Sequence, residues 1–250
     1  MTKPLVLLSN DDGYRSDGIR AMASALREKF EVVICAPDSE QSASSHSLSL
    51  NRPLRIIKHG DGEFSVDGTP ADSIYVALHE KSVLGRRPNL IVSGMNHGLN
   101  LGQDVFYSGT VAAAREGALQ GYPSLAVSAH DRADLARAAA DAVTLALSIV
   151  ENHDGKPILL NANYPPHGTW EKIPCVSGRR HYTGGLVSRR DPRGRPYYWI
   201  GGDTVKHDVH VGTDTKAYDS GLVGITPLCL DLSAGADLPQ IELLCSRLNA

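Results

Sequence analysis

Residues 5–13 read LVLLSNDDG, an apolar run followed at once by two aspartates and a glycine. A short aliphatic run bounded by a turn is typical of a buried strand in a parallel sheet. Open α/β sheets bind ligands at the carboxyl ends of their strands, which is where Asp11 and Asp12 stand. Asp-Asp-Gly is also an ordinary turn sequence, so this stretch alone leaves a ligand site and a simple turn equally open.

Strand and helix patterns alternate along the first two thirds of the chain. Apolar runs at residues 31–36, 89–93, 123–128 and 157–161 predict strands. Between these runs, apolar residues recur at the spacing of a helix. The sequences Thr69-Pro70-Ala71-Asp72 and Ser108-Gly109-Thr110 have the composition of helix starts. This alternation predicts an α/β fold with a doubly wound, mostly parallel sheet and helices on both faces.

Proline and glycine become frequent in the last third of the chain. There the turn sequence at 191–194, Asp-Pro-Arg-Gly, separates two strand-like stretches, which predicts an extended β-hairpin arm over about residues 179–200. A two-stranded arm is only marginally stable in water, so we expect a neighbouring subunit to cover it. We therefore divide the chain into a catalytic core, residues 1–163, and a C-terminal part for oligomerisation, residues 164–250. The second part contains the arm, a returning strand at about 222–230 and a terminal helix.

The composition is that of an ordinary globular protein, with 42% hydrophobic and 21% charged residues in a chain of 250. A formal net charge of -3 gives no reason to expect duplex nucleic acid as a partner. No apolar stretch is long enough to cross a bilayer, and the N-terminus lacks the pattern of a secretory signal. We therefore expect a soluble cytoplasmic protein that does not associate with membranes.

Oxygen-bearing side chains occur in three loops that follow predicted strands. The loops carry, in chain order, Asp11 and Asp12, then Ser42, then Asn96 and Asn100. Parallel strands bring their carboxyl ends to one edge of the sheet, so we expect the three loops to meet. Carboxylate, hydroxyl and amide oxygens suit a hard divalent cation, Mg²⁺ or Mn²⁺, better than Zn²⁺.

The stretch from Tyr107 to Val111, YSGTV, predicts a helix N-terminus whose unpaired N–H groups and hydroxyls suit a phosphate group. An ordinary serine N-cap at Ser108 explains the same residues more simply. Beside a metal on the same sheet edge, however, the stretch points to metal-assisted hydrolysis of a phosphate ester. Asp11 and Asp12 are then the expected catalytic residues, because they would hold the cation and position a water molecule.

Six segments resemble the SurE family of survival-protein nucleotidases, in the family's order and over nearly the whole chain. They are LLSNDDGY (7–14), APDSEQSASSHSL (36–48), DGTPADS (67–73), NLIVSGMNHGLNLGQDVFYSGTVAAAREG (89–117), DPRGRPYYWIGG (191–202) and GTDTKAYDSGLVGITPL (212–228). The resemblance implies a Rossmann-like sheet with a C-terminal hairpin that reaches into a partner subunit. Homodimers and homotetramers are the assemblies it implies.

The same resemblance implies a phosphatase with one divalent cation per subunit that acts on nucleoside 5'- and 3'-monophosphates. Some members of the family also trim short polyphosphate. The implied metal ligands are Asp11, Asp12, Ser42 and Asn96. The implied phosphate-binding residues are Ala43, Asn96, Ser108, Gly109 and Thr110.

Three positions depart from the usual pattern of the family. Asp17 adds a charge near the entrance of the site, Ala43 stands where glycine is common, and His97 replaces a smaller residue. These departures bear on substrate preference rather than on the metal. His97 could also serve as a general acid, although a histidine in a loop is more often simply solvated.

Several readings of these residues remain open at this point. Asp11 could be a nucleophile that forms an aspartyl-phosphate, although the Asp-x-Asp spacing of haloacid dehalogenase phosphatases is missing. The protein could instead sense or scaffold nucleotides without turnover. Arginines at 179, 180, 189, 190, 193 and 195 form a basic arm, which is either a solvated face or a contact for phosphates in a neighbouring subunit's site.

Overall fold

The computed structural model describes residues 2–152, 157–183, 185–201 and 204–248. Within these ranges the strands are β1 (Leu5–Ser9), β2 (Glu31–Pro37), β3 (Ile56–Gly60), β4 (Glu63–Val66), β5 (Leu90–His97), β6 (Ser124–Ala129), β7 (Leu159–Tyr164), β8 (Lys172–Pro174), β9 (Arg180–Thr183), β10 (Leu186–Arg190), β11 (Pro196–Ile200), β12 (Thr204–His207) and β13 (Val223–Pro227). The α-helices are α1 (Asp17–Arg27), α2 (Pro70–His79), α3 (Gly109–Leu119), α4 (Leu135–Asn152), α5 (Asp214–Asp219) and α6 (Leu238–Leu248). A short 3₁₀ helix, Gly102–Phe106, precedes α3.

The described strands build a nine-stranded sheet in the order β3-β4-β2-β1-β5-β6-β7-β13-β8. Strands β4, β2, β1, β5, β6 and β7 run parallel, β3 and β13 are antiparallel to their neighbours β4 and β7, and β8 is parallel to β13. The predicted mostly parallel α/β sheet is therefore confirmed. Because the chain passes from β1 to β2 on one side and returns as β5 on the other, the strand order reverses beside β1, and such a reversal opens a crevice for ligands.

The apolar side chains of β1 point alternately to the two faces of the sheet, and both faces are covered by helices. Val6 and Leu8 pack in the same cluster as residues of α1 and α4, whereas Leu5 and Leu7 pack with residues of α2 and α3. All five residues of β1 are buried, as expected for a strand in the middle of a doubly wound sheet. The polar loop that follows this strand is therefore attached to a fully buried strand in the interior of the sheet.

The C-terminal part contributes to the same sheet and also carries the hairpin arm. Strand β10 pairs with β11 around a turn closed by the hydrogen bond from Gly194 N–H to Asp191 O (2.9 Å), and β9 pairs with β12 in a second two-stranded sheet. The predicted hairpin strands are therefore present. Every residue of β10 and β11 is exposed, and α6 buries no residue in the described chain. The division into two parts stays a prediction.

Asp214, at the start of α5, joins two distant loops to the C-terminal part. Its carboxylate accepts hydrogen bonds from the N–H groups of Gly102 (2.8 Å) and Gly178 (2.7 Å), and it is 1% exposed. Gly102 begins the 3₁₀ helix before α3, and Gly178 lies just before β9. The carboxylate thus fixes the segment before α3 against the base of the hairpin arm.

None of the helices within the described ranges has the length and apolar character needed to cross a membrane.

Candidate active site

The turn after β1 places Asp11 inside the protein. The side-chain amide of Asn10 donates to Gly13 O (3.0 Å) and to Ser16 Oγ (2.8 Å), so the turn is tied to the start of α1. Gly13 has a φ of 94°, a conformation in which a side chain would be strained. Asp11 is consequently only 4% exposed, although it stands at the end of a strand in a polar loop.

The carboxylate of Asp11 lies against the N-terminus of α3. The hydroxyl of Thr110 donates a hydrogen bond to Asp11 Oδ1, and Ser108 caps the helix by accepting from Val111 N–H (3.1 Å). Gly109 lies directly beside Asp11. Of the expected phosphate-binding residues, Gly109 and Thr110 thus contact Asp11 in this structure, and the negative charge near the helix terminus is that of Asp11.

Burial shifts the titration of both aspartates. It raises the pKa of Asp11 to about 6, against hydrogen bonds from Thr110 that favour the charged form and with a smaller contribution from the charge of Asp12. Burial also raises the pKa of Asp12, although the backbone N–H of His97 donates to its Oδ2 (3.2 Å). Two adjacent carboxylates are therefore held in an environment that disfavours their negative charge.

The loop that carries Ser42 is held against the turn after β1. Gln41 N–H donates to Asp11 O (2.8 Å), and Ser45 N–H donates to Tyr107 O (3.1 Å). Ala43 has a φ of 57°, in the left-handed region that non-glycine residues rarely adopt. Ser42 Oγ donates to Glu40 (2.7 Å), which leaves the lone pairs of this oxygen for a further partner.

A hydrogen bond between His46 and the buried Glu116 holds the other end of this loop. His46 Nε2 lies 2.8 Å from the carboxylate of Glu116 on α3, and Glu116 is 4% exposed. Burial alone would raise the pKa of Glu116, but hydrogen bonds from His46 and Gln120 hold the pKa of this carboxyl below its usual range. The loop that carries Ser42 is thus attached to the helix whose N-terminus contacts Asp11.

The third loop begins inside β5, where the pairing with β6 shifts its register between Ser93 and Asn96. The amide group of Asn96 donates to Gly98 O (2.9 Å), which leaves the amide oxygen available as a ligand. Asn100 is buried and donates to Ser128 Oγ (2.9 Å), so its side chain supports the sheet edge. Both asparagines line the cavity described next, and Asn96 is the one expected as a metal ligand.

A cavity of about 310 Å³ opens where the three loops meet. Its walls include five of the predicted site residues, namely Asp11, Ser42, Ala43, Asn96 and Ser108. Asp12 faces a neighbouring cavity of about 390 Å³, and Asn96 and His97 line both. The loops thus converge as the parallel sheet requires, and the position of His97 is compatible with either role considered for it.

Three further residues line the 310 Å³ cavity, of which Asp104 and Tyr182 were not among the predicted site residues and Arg180 was predicted only as one of six arginines of the basic arm. Asp104 forms an ion pair with Arg180 and accepts a hydrogen bond from the hydroxyl of Tyr182. Arg180 and Tyr182 occupy alternate positions of β9, which places them on one face of that strand. The alternation of Arg180 and Tyr182 along one strand is the one sequence signal that could have grouped these two residues. Asp104 could not have been grouped with them, because it lies 76 residues before Arg180.

The donor set around the cavity fits a hard divalent cation. Among the described residues, no lysine or arginine lies within 4.0 Å of the buried Asp11 or of the half-buried Asp12, although the charge of His97 favours the ionised form of Asp12. The hydroxyl of Ser42 and the amide oxygen of Asn96 are neutral oxygen ligands of the type that Mg²⁺ and Mn²⁺ accept. No cluster of three or more His, Cys, Asp or Glu side chains in the described ranges could hold a metal, so these neutral oxygens would be needed.

Comparisons with known proteins agree on one family. A family model described as Survival protein SurE matches residues 6–184. The 5'-nucleotidase SurE of Sorangium cellulosum is 54% identical over 252 residues, covering 99% of this chain and 98% of that protein. The 5'-nucleotidase SurE of Pelobacter propionicus is 45% identical over 242 residues, covering 94% and 97%. The crystal structure of the SurE protein from Aquifex aeolicus has a TM-score of 0.83 at 34% identity, covering 96% of this chain and 99% of that chain.

Proposed function

The chain belongs to the SurE family, and we propose that it is a divalent-metal-dependent phosphatase of nucleoside monophosphates. As in the relatives that are named 5'-nucleotidase, it hydrolyses the phosphoric monoester of 5'-nucleotides. We extend the proposal to 3'-monophosphates and to the ends of short polyphosphate chains, because all of these present a terminal phosphoryl group. The observation that supports the metal dependence is the buried carboxylate of Asp11 beside the half-buried carboxylate of Asp12, with no lysine or arginine within 4.0 Å of either among the described residues.

Each residue of the site has a distinct part in this proposal. Asp11 and Asp12 would hold the cation and orient a water molecule, and the oxygens of Ser42 and Asn96 would complete the ligand set. A divalent cation bound there would lower the pKa of a water molecule and offset charge on the phosphoryl oxygens. Ser108 and the first turn of α3, with backbone near Ala43, hold the phosphoryl group beside Asp11.

Substitution of Asp12 tests this function. We expect Asp12→Asn to lower phosphate release from AMP at least about a hundredfold in saturating Mn²⁺ and to weaken Mn²⁺ binding in calorimetry, because the site loses a charged ligand. Asp61→Asn is the matched control, since Asp61 is a fully exposed carboxylate in the turn between β3 and β4. A wild-type rate for Asp12→Asn would overturn the assignment of the metal site.

Removal of the metal tests the same function in the unmodified protein. EDTA should abolish hydrolysis of AMP, and Mg²⁺ or Mn²⁺ should restore it. Absence of EDTA-sensitive hydrolysis across a panel of nucleotides would favour the nucleotide-sensing alternative. In single-turnover hydrolysis in ¹⁸O-water, we expect the label in the released phosphate. Label in a protein carboxylate would instead indicate an aspartyl-phosphate intermediate.

We also propose that the protein assembles as a homodimer or homotetramer through the hairpin arm. Large apolar side chains of β10, β11 and α6 are exposed in the single chain, among them Val187, Trp199, Ile200, Ile241 and Leu244. An exposed apolar set of this size is typical of a protein interface rather than of a solvated surface. A second copy of the chain would supply the cover that the two-stranded arm requires.

A further inference from the structure

Arg180 belongs to the hairpin arm by sequence but lines the 310 Å³ cavity beside Asp11 and Ser108 of the same chain. Its backbone is fixed at this point, because Arg180 N–H donates to Gln103 Oε1 (2.8 Å) and Gln103 Nε2 donates to Arg180 O. The base of the arm is therefore joined to the 3₁₀ helix that precedes α3. This attachment brings a cationic side chain to the active-site cavity.

Asp104 holds the guanidinium of Arg180 in place. The two side chains form an ion pair and are only 11% and 17% exposed, respectively. The other carboxylate oxygen of Asp104 accepts the hydroxyl hydrogen bond of Tyr182, whose pKa is raised to about 12, chiefly by burial, so that it remains a donor. The carbonyl of Asp104 also accepts from the N–H groups of Tyr107 (2.9 Å) and Ser108 (3.1 Å). Asp104 therefore positions both the guanidinium of Arg180 and the backbone of the turn that leads into α3.

The charges around the cavity and the unused donors of Arg180 suit it to bind an anion. Among the described residues that line it, Arg180 carries the permanent positive charge, whereas Asp11 and Asp104 are acidic. A guanidinium has five N–H donors, of which the Asp104 pair uses Nη1, and the buried Nε has no hydrogen-bond partner. A purely structural arginine at such a buried site would be expected to satisfy its donors.

We propose that Arg180 is a substrate-binding residue whose guanidinium contacts the phosphoryl group of the nucleotide, and that Asp104 is its positioning residue. This inference rests on the proposed function. Arginine binds phosphate oxygens through paired N–H donors, and a guanidinium already oriented by a carboxylate loses little freedom when it does so. The phosphoryl group would lie between Arg180 and the N-terminus of α3, where both partners favour negative charge.

Substitution of Arg180 tests this inference against a purely structural role. We expect Arg180→Gln to raise the KM for AMP and the inhibition constant of inorganic phosphate at least about tenfold, because a charge-assisted hydrogen bond to phosphate is lost. Inhibition by adenosine, which has no phosphate, should change little. Arg180→Lys should recover part of the phosphate affinity, and added guanidinium should partly restore the activity of Arg180→Ala. The exposed neighbour Arg179 provides the control Arg179→Gln, which should match the wild type.

Asp104→Asn tests the positioning role. It keeps a hydrogen-bonding side chain but removes the charge that orients Arg180, so we expect a raised KM for AMP with a smaller change than Arg180→Gln. Equal KM and phosphate inhibition in Arg180→Gln and Arg179→Gln would overturn the inference, as would a loss of activity that only follows the folded fraction in circular dichroism. Calorimetric titration of inorganic phosphate in Mg²⁺ needs no turnover. If the wild type failed to hydrolyse AMP, the proposed function would fall, and this titration would still decide the phosphate contact.

Discussion

A methyl group added at Gly109 would stand 2.7 Å from the Cβ of Asp11. Real Cβ atoms do not approach other carbons so closely, so the first turn of α3 can lie beside the turn after β1 only because residue 109 has no side chain. This contact sets the distance between the two parts of the proposed site, the carboxylates after β1 and the helix N-terminus that receives the phosphoryl group.

Gly109→Ala should therefore separate these two parts. The added methyl group would also stand 3.0 Å from Pro70 Cγ, so neither neighbour offers room without a shift of backbone. We expect kcat/KM for AMP to fall at least about a hundredfold, because small misplacements at a reacting centre are costly. Gly85→Ala is the control, since a Cβ there meets nothing within 4 Å. An unchanged kcat/KM in Gly109→Ala would show that this close contact does not position the site.

Asp11→Asn should stabilise the cation-free protein while it abolishes activity. The pKa of Asp11 is about 6 in the folded protein against an ordinary value of 3.8. The stability that comes from this raised pKa is complete below pH 3.8 and is lost as the pH rises through 6, whereas an amide does not titrate. By linkage the variant gains up to ~3 kcal/mol at pH 8 and roughly half of that at pH 5.

Urea unfolding in EDTA at the two pH values measures this difference. Asp61→Asn should show no gain at either pH, because Asp61 is fully exposed. A gain for Asp11→Asn that is the same at pH 5 and pH 8 would contradict the titration of Asp11 as its cause.

His46→Ala should loosen the loop that carries Ser42. Removal of the imidazole leaves the buried Glu116 carboxylate with Gln120 as its remaining side-chain hydrogen-bond partner in the described structure. We expect a loss of about 1–3 kcal/mol in the free energy of unfolding and a weaker affinity for Mn²⁺. Chemical denaturation and calorimetry measure the two effects, with the exposed His167→Ala as control. Unchanged Mn²⁺ affinity in a destabilised His46→Ala would show that the hydrogen bond between His46 and Glu116 does not support the metal site.

The double substitution Trp199→Ser/Ile200→Ser should yield monomers. The two side chains are 64% and 93% exposed in the single chain, so their replacement removes apolar surface from the arm without opening its core. Sedimentation velocity should show a dimer or larger assembly for the wild type and for Arg193→Ser, a polar change in the turn of the same arm. The same sedimentation coefficient for the double variant and the wild type would rule out this part of the arm as the interface.

The sequence predicted the sheet and the convergence of the three loops because these depend on local periodicity and on one topological rule. Apolar runs define parallel strands, and parallel strands bring the loops of Asp11, Ser42 and Asn96 to one edge. The contact between Thr110 and Asp11 was not predicted, because it depends on how closely α3 approaches β1. That distance depends on the absence of a side chain at Gly109, and this close contact can be seen only in the folded structure.

The pairing of Asp104 with Arg180 lay beyond sequence reasoning for a different reason. Six arginines of the arm looked alike as a basic segment, and nothing in their spacing separates one from the others. Arg180 differs because it begins β9, where Gln103 fixes its backbone. A long-range contact between a loop and the base of a hairpin follows from the complete tertiary structure, not from any periodic pattern.

The bonds of Asp214 to Gly102 and Gly178 have a consequence for biosynthesis. The loop that leads into α3 is translated more than a hundred residues before the carboxylate that holds it. A nascent chain that has not yet released Asp214 from the ribosome can form its early strands, but it lacks the clamp that sets the segment before α3. Enzymatic activity should therefore emerge only after residue 214 has been synthesised and released, and fragments truncated before this residue should be inert.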